Sequence, residues 1–92
     1  MTATVLQQVP GLRRGFRFQW EPAQNCHVLL YPEGMIQLNE SAALILQQVD
    51  GKRSLAEIIQ ALQVEFPDAA GLAEDVQEFM EVAREQFWLE YK

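Results

Sequence analysis

This chain is poor in the residues that carry most catalytic and metal chemistry. Its 92 residues hold one cysteine, Cys26, and one histidine, His27. A lone cysteine excludes an internal disulfide, and it falls short of the four Cys or His ligands that a structural zinc site usually takes. Without a second histidine, general acid–base work would fall to a carboxylate of shifted pKa, and no pair of acids stands at a telling spacing. Cys26 and His27 are neighbours in an apolar run. Neighbours on a strand point to opposite faces, so the two do not converge on one metal or nucleophile site without a bulge. A partly buried structural role is the better reading of both, and neither a cofactor nor an enzymatic activity is expected.

Long apolar runs are missing too. No window approaches the ~20 residues of a membrane span, and Met1–Gly15 lacks the basic start and continuous apolar core of a secretory signal. A soluble, cytoplasmic chain is expected, with no membrane partner. Positive charge is scarce in the second half: residues 54–92 carry two Arg/Lys against nine Asp/Glu, whereas residues 1–53 carry five against four. The halves, at +1 and −7, account for the net charge of −6. So acidic a half repels phosphate backbones, and the counterion release that drives nucleic-acid binding would work against it. Nucleic acid is not expected as a partner.

What is present is enough for one small folded module. The apolar share is 49%, ordinary for a globular protein. A chain of this size buries roughly 60–65% of its unfolded surface, and its stability is expected at about 5–9 kcal/mol. Residues 1–15 read as an extended N-terminal arm, because Val9-Pro10-Gly11 interrupts any regular pattern. Residues 16–92 form the domain. Phe16, Phe18 and Trp20 alternate with polar residues at the period of a half-buried strand; Glu21–Asn25 is a turn; Cys26–Tyr31 is a second strand. Pro32 and Gly34 suit a tight reversal, after which Met35–Leu38 forms a short third strand. Asn39 then offers its side-chain oxygen to the first free N–H groups of a helix.

From Asn39 the period becomes helical. Ala42, Ile45, Leu46 and Val49 make one stripe, and Asp50-Gly51 stops it, Gly51 being able to take a left-handed cap conformation. Ser54 and Glu57 have the spacing of a capping box, and Leu55, Ile58, Ile59, Leu62 and Phe66 continue that second helix to Pro67. A third helix begins between Asp68 and Leu72 and runs to about Gln86 or Trp88. The predicted class is α+β, winged-helix-like, with a three-stranded antiparallel sheet followed by three helices (β-β-β-α-α-α). A winged-helix DNA-binding regulator is thus the alternative function. Against it, the second helix contains Glu57 and Glu65 and no Arg or Lys that would hold a phosphate or a guanine edge.

The consequential feature is the third strand, Met35, Ile36, Gln37 and Leu38. It ends a meander, so one edge is expected to be free unless the arm or a second copy covers it. A free edge accepts an extended peptide by strand addition. Four backbone hydrogen bonds at about 1 kcal/mol each fall short of the ~8 kcal/mol of a micromolar complex, so apolar anchors must supply the remainder. Val76, Phe79, Met80 and Ala83 of the third helix are the expected lining, although the same residues suit an ordinary core. Glu74, Glu78, Glu81 and Glu85 form an acidic ridge on that helix, either a solvated face or a contact for a basic partner. The free edge, the arm and the apolar tail at Phe87–Tyr91 also offer a route to an element-swapped homodimer, the functional form being a monomer.

Leu29-Leu30-Tyr31-Pro32-Glu33-Gly34, Leu38-Asn39, Asp50-Gly51, Ser54-Leu55-Ala56-Glu57-Ile58-Ile59 and Asp75-Val76 with Phe79 occur in an order and spacing that resembles the PqqD family of pyrroloquinoline quinone biosynthesis, from about Val9 to Leu89. The resemblance implies a non-catalytic peptide chaperone. It would bind the leader of a ribosomally made precursor peptide and present it to a radical S-adenosylmethionine enzyme that cross-links a Glu and a Tyr. It further implies that the leader adds to the third strand, Met35–Leu38, in the groove against Val76, Phe79, Met80 and Ala83. Tyr31, Pro32, Glu33, Gly34, Asn39, Asp50 and Gly51 match family positions but are explained locally as turn and cap residues. In one place the chain departs from the family: a glycine is expected shortly before the terminal aromatic-Leu pair, yet Gln86-Phe87-Trp88-Leu89 stands there. The third helix is accordingly expected to run further.

Overall fold

The computed structural model describes residues 2–91, in the order α1 (Thr2–Gln7), β1 (Pro10–Leu12), β2 (Arg17–Glu21), β3 (Cys26–Tyr31), β4 (Gly34–Gln37), α2 (Glu40–Leu46), α3 (Leu55–Glu65), α4 (Leu72–Glu85) and β5 (Leu89–Tyr91). Strands β2, β3 and β4 form an antiparallel meander, and β1 and β5 form a separate antiparallel ribbon. The register sets Phe18 opposite Leu29 and Leu29 opposite Ile36. Because strand side chains alternate, one face of the meander presents this apolar row to the helices. Against it pack Ile45 and Leu46 of α2, Leu55, Ile58 and Leu62 of α3, Val76, Met80 and Ala83 of α4, and Leu89 of β5.

Local chemistry accounts for most boundaries. Asn39 Oδ1 accepts a hydrogen bond from the Ala42 N–H at 2.8 Å, and Ser54 and Glu57 satisfy each other's backbone N–H groups at 3.2 and 2.7 Å. The first helix nevertheless ends earlier than the apolar stripe suggests. α2 stops at Leu46, and Val49 lies beyond it in turns closed by Gln48 N–H to Ile45 O and Val49 N–H to Leu46 O. Gly51 does take a left-handed φ of 74°, but in the following turn, where Asp50 Oδ1 accepts from the N–H groups of Lys52 and Arg53.

Two expectations are corrected. The N-terminal segment is not extended throughout: Thr2–Gln7 is helical, and Pro10–Leu12 is a strand paired with Leu89–Tyr91. Pro10 does interrupt the pattern, but each side of it finds a tertiary partner. Val5 and Leu6 pack on the core, and the Leu55 N–H donates to Gln8 O at 2.9 Å. Met1 and Lys92, at the outer ends of the expected arm and domain, lie outside the described residues. The second correction concerns α4: an end at about Gln86 agrees with its C-cap, but the helix does not run on toward Trp88. It ends at Glu85 because Phe87 adopts φ 64°, and the chain turns back into β5.

Candidate functional site

The edge of β4 away from β3 is open. The ribbon that holds the N-terminal segment lies with β5, and no described strand pairs with β4 on its outer side. The Leu38 N–H donates to His27 O at 3.0 Å, which makes that facing pair a hydrogen-bonded one. In an antiparallel ladder such pairs alternate, so Leu38, Ile36 and Gly34 bond inward to β3. Met35 and Gln37 therefore turn their N–H and C=O groups outward, four groups available to a further strand.

Beside this edge lies a groove of about 480 Å³ between β4, α2 and α4. Leu38, Ala42, Ile45, Phe79, Val82 and Trp88 supply its apolar surface, and Asp75 and Glu78 stand among its polar lining. On α4 the groove-facing residues Asp75, Glu78, Phe79 and Val82 follow the i, i+3, i+4, i+7 pattern of one helix face. A separate, smaller hollow of about 320 Å³ lies beside Ile36 and is lined by Phe16, Tyr31, Ile36, Gln86 and Trp88.

The structure brings together part of the expected set. Met35, Ile36 and Gln37 lie on β4 with Leu38 just beyond it, and of these Gln37 and Leu38 share the groove with Phe79; Ile36 lines the smaller hollow and Met35 lines neither. Val76, Met80 and Ala83 do not line it. They are at most 2% exposed and belong to the core beneath. A 3.6-residue period identifies an apolar stripe, but it does not say which edge of that stripe is capped by other elements. Val82 and Trp88 were missed as lining residues. Val82 sits off the main stripe and is 47% exposed; a lone exposed valine on a helix was the available signal.

Trp88 owes its place to the end of α4. The Phe87 N–H donates to Arg84 O at 3.0 Å and the Trp88 N–H to Ala83 O at 2.9 Å, the paired bonds of a Schellman turn. The Arg13 N–H in turn donates to Trp88 O at 3.0 Å, and the indole tilts against Phe79 at 6.5 Å between centroids. Phe87 occupies the left-handed position normally given to glycine; it is 66% exposed, under the Arg13 guanidinium at 5.6 Å.

An ion pair on α4 joins Glu81 and Arg84. The Arg84 guanidinium hydrogen-bonds Glu81, lowering the pKa of that carboxyl and raising its own. On β5, burial raises the Tyr91 hydroxyl above its ordinary value. His27 stacks on Phe18 at 4.9 Å and meets the edge of Trp20 at 5.1 Å. Among the described residues no group of three or more His, Cys, Asp or Glu is placed to hold a metal ion, and no helix is long and apolar enough to cross a membrane.

Comparison with known proteins gives this geometry a context. The family model described as coenzyme PQQ synthesis protein D (PqqD) matches residues 26–89. A protein of Azotobacter vinelandii named PqqA binding protein is 67% identical over 90 residues, covering 98% of both chains. One of the same name from Stutzerimonas stutzeri is 61% identical over 92 residues, covering 100% of both. Among solved structures, the solution NMR structure of the PqqD truncation of Methylobacterium extorquens PqqCD, described as a functional and stand-alone recognition element for ribosomally synthesised, post-translationally modified peptides, matches with a TM-score of 0.72 and 31% identity. That match covers 89% of this chain and 88% of the other. An α+β module with a three-stranded antiparallel sheet, related in sequence along nearly its whole length to PqqA binding proteins, belongs to the PqqD family.

Proposed function

We propose that this chain is a non-catalytic binding protein for a PqqA-type precursor peptide, holding the leader as an added strand on β4 and presenting it to a radical S-adenosylmethionine enzyme for Glu-Tyr cross-linking. The observation that carries the reading is the open β4 edge standing directly over an apolar groove. The names of the relatives supply the guest. Met35 and Gln37 contribute backbone groups, and Ile36, Leu38, Phe79, Val82 and Trp88 contribute apolar surface. Val76, Met80 and Ala83 hold α4 in position from below. Four hydrogen bonds at about 1 kcal/mol each, with two or three side-chain anchors at about 1.5–3 kcal/mol each, sum to about 7–13 kcal/mol before ordering costs, a range that spans the ~8 kcal/mol of a micromolar complex.

The shape is read as winged-helix-like with its DNA chemistry absent, since α3 carries no Lys or Arg. A cytoplasmic monomer is the working form. Titration of labelled PqqA leader into the full chain tests the site. Gln37→Pro removes an outward N–H donor while sparing the β3 ladder, a position at which an edge strand accepts proline; it is expected to weaken binding about tenfold. Unchanged affinity in a folded Gln37→Pro protein would overturn strand addition at β4.

A further inference from the structure

The groove beside β4 is not continuous. Trp88 lines both the larger hollow, which holds Leu38, Phe79 and Val82, and the smaller one, which holds Phe16, Tyr31 and Ile36. Ile36 and Leu38 are successive residues on one face of the strand, and each opens into a different hollow. A guest strand paired with β4 would set the side chains opposite them two positions apart, about 7 Å along its axis. Both backbone groups of Trp88 are already bonded, to Ala83 and to Arg13, so its main chain is anchored, and the indole packs against the Phe79 ring.

We propose that Trp88 acts as a partition that reads spacing in the guest, admitting an extended peptide with apolar side chains at positions i and i+2, one in each hollow. This rests on the strand-addition reading and deepens it. Charge narrows the occupant further. Asp75 and Glu78 stand at the larger hollow, whereas the residues of the smaller one carry no charge. The favoured peptide therefore has basic rather than acidic residues beside the anchor that enters the larger hollow. The Arg13 backbone N–H holds the Trp88 carbonyl, and the left-handed turn at Phe87 sets where Trp88 leaves the helix.

The test is a single-alanine series of the synthetic PqqA leader, titrated against the unaltered chain, Trp88→Ala and Trp88→Phe. Two peptide positions separated by one residue should each lose about tenfold or more in affinity, while the residue between them loses far less. In Trp88→Ala both penalties should shrink together, with Trp88→Phe in between. Losses at positions not two apart, or an alanine profile unchanged in Trp88→Ala, would overturn the partition. The indole N–H signal of Trp88 in the unaltered protein gives a readout free of folding effects: it should shift on saturation, and a stationary signal would also overturn the proposal. Failure of the underlying reading looks different, since binding would then be indifferent to Gln37→Pro.

Discussion

Phe87 sets an L-residue at φ 64°, where the turn that ends α4 favours glycine. The left-handed conformation costs such a residue about 1–2 kcal/mol, and an Arg13 guanidinium over the ring returns about 0.5–1 kcal/mol at an exposed site. Phe87→Gly and Phe87→Val are accordingly expected to split, the first holding or raising stability and the second, β-branched, lowering it. A gap of about 2 kcal/mol between them in denaturant midpoints is the expected result. Asp50 gives a pH dependence at the same scale. Hydrogen bonds from the backbone N–H groups of Lys52 and Arg53, aided by the Arg53 guanidinium, hold its carboxyl below the ordinary 3.8. A carboxyl depressed in the folded state stabilises above its unfolded pKa, and the contribution fades as pH falls through the lowered value. The melting-temperature deficit of Asp50→Ala should thus be complete at neutral pH and shrink below pH 3.8. Such turn and cap residues were legible in the sequence because their partners lie within three positions.

At the scale of elements, β4 has two unlike sides. Ile36 bonds to β3 and faces the core, whereas Gln37 turns its backbone outward, so Ile36→Pro should cost at least about 2 kcal/mol and Gln37→Pro much less. Chemical denaturation of the two variants checks this, and a larger loss for Gln37→Pro than for Ile36→Pro would show that the ladder is phased the other way. The β1–β5 ribbon is a second unit. Leu89 is 1% exposed at the inner end of β5, opposite Leu12, and Leu89→Ala should cost about 2–5 kcal/mol, with faster amide exchange in both strands. That ribbon escaped the sequence reading for a physical reason. Each strand is three residues long, too short for a period, and its partner lies at the far end of the chain. The further run of α4 toward Trp88 was misread for a related reason. Its stop is a backbone conformation taken by a phenylalanine, without the glycine that usually announces it.

Taken whole, the molecule measures 36 × 29 × 19 Å with a radius of gyration of 13.0 Å, close to the ~12 Å of a compact chain of this length. Pro10–Leu12 and Leu89–Tyr91 pair in the ribbon, and no described strand covers the outer β4 border; exchange of elements between two copies would use the ribbon and that border. The proposed monomer should hold through a dilution series in light scattering, with dimers confined to high concentration. By itself the sequence determined the strands of the meander, the helix caps, the acidic second half and, to within one residue, the edge strand that is Gly34–Gln37, because periodicity, turn chemistry and charge are local or additive. Only the tertiary structure decided which apolar residues of α4 are core and which face the groove, since that depends on what covers each side of the stripe. It also decided that the N-terminal segment closes on the tail instead of on β4. Burial and strand pairing join residues remote along the chain, and no local pattern records those partners.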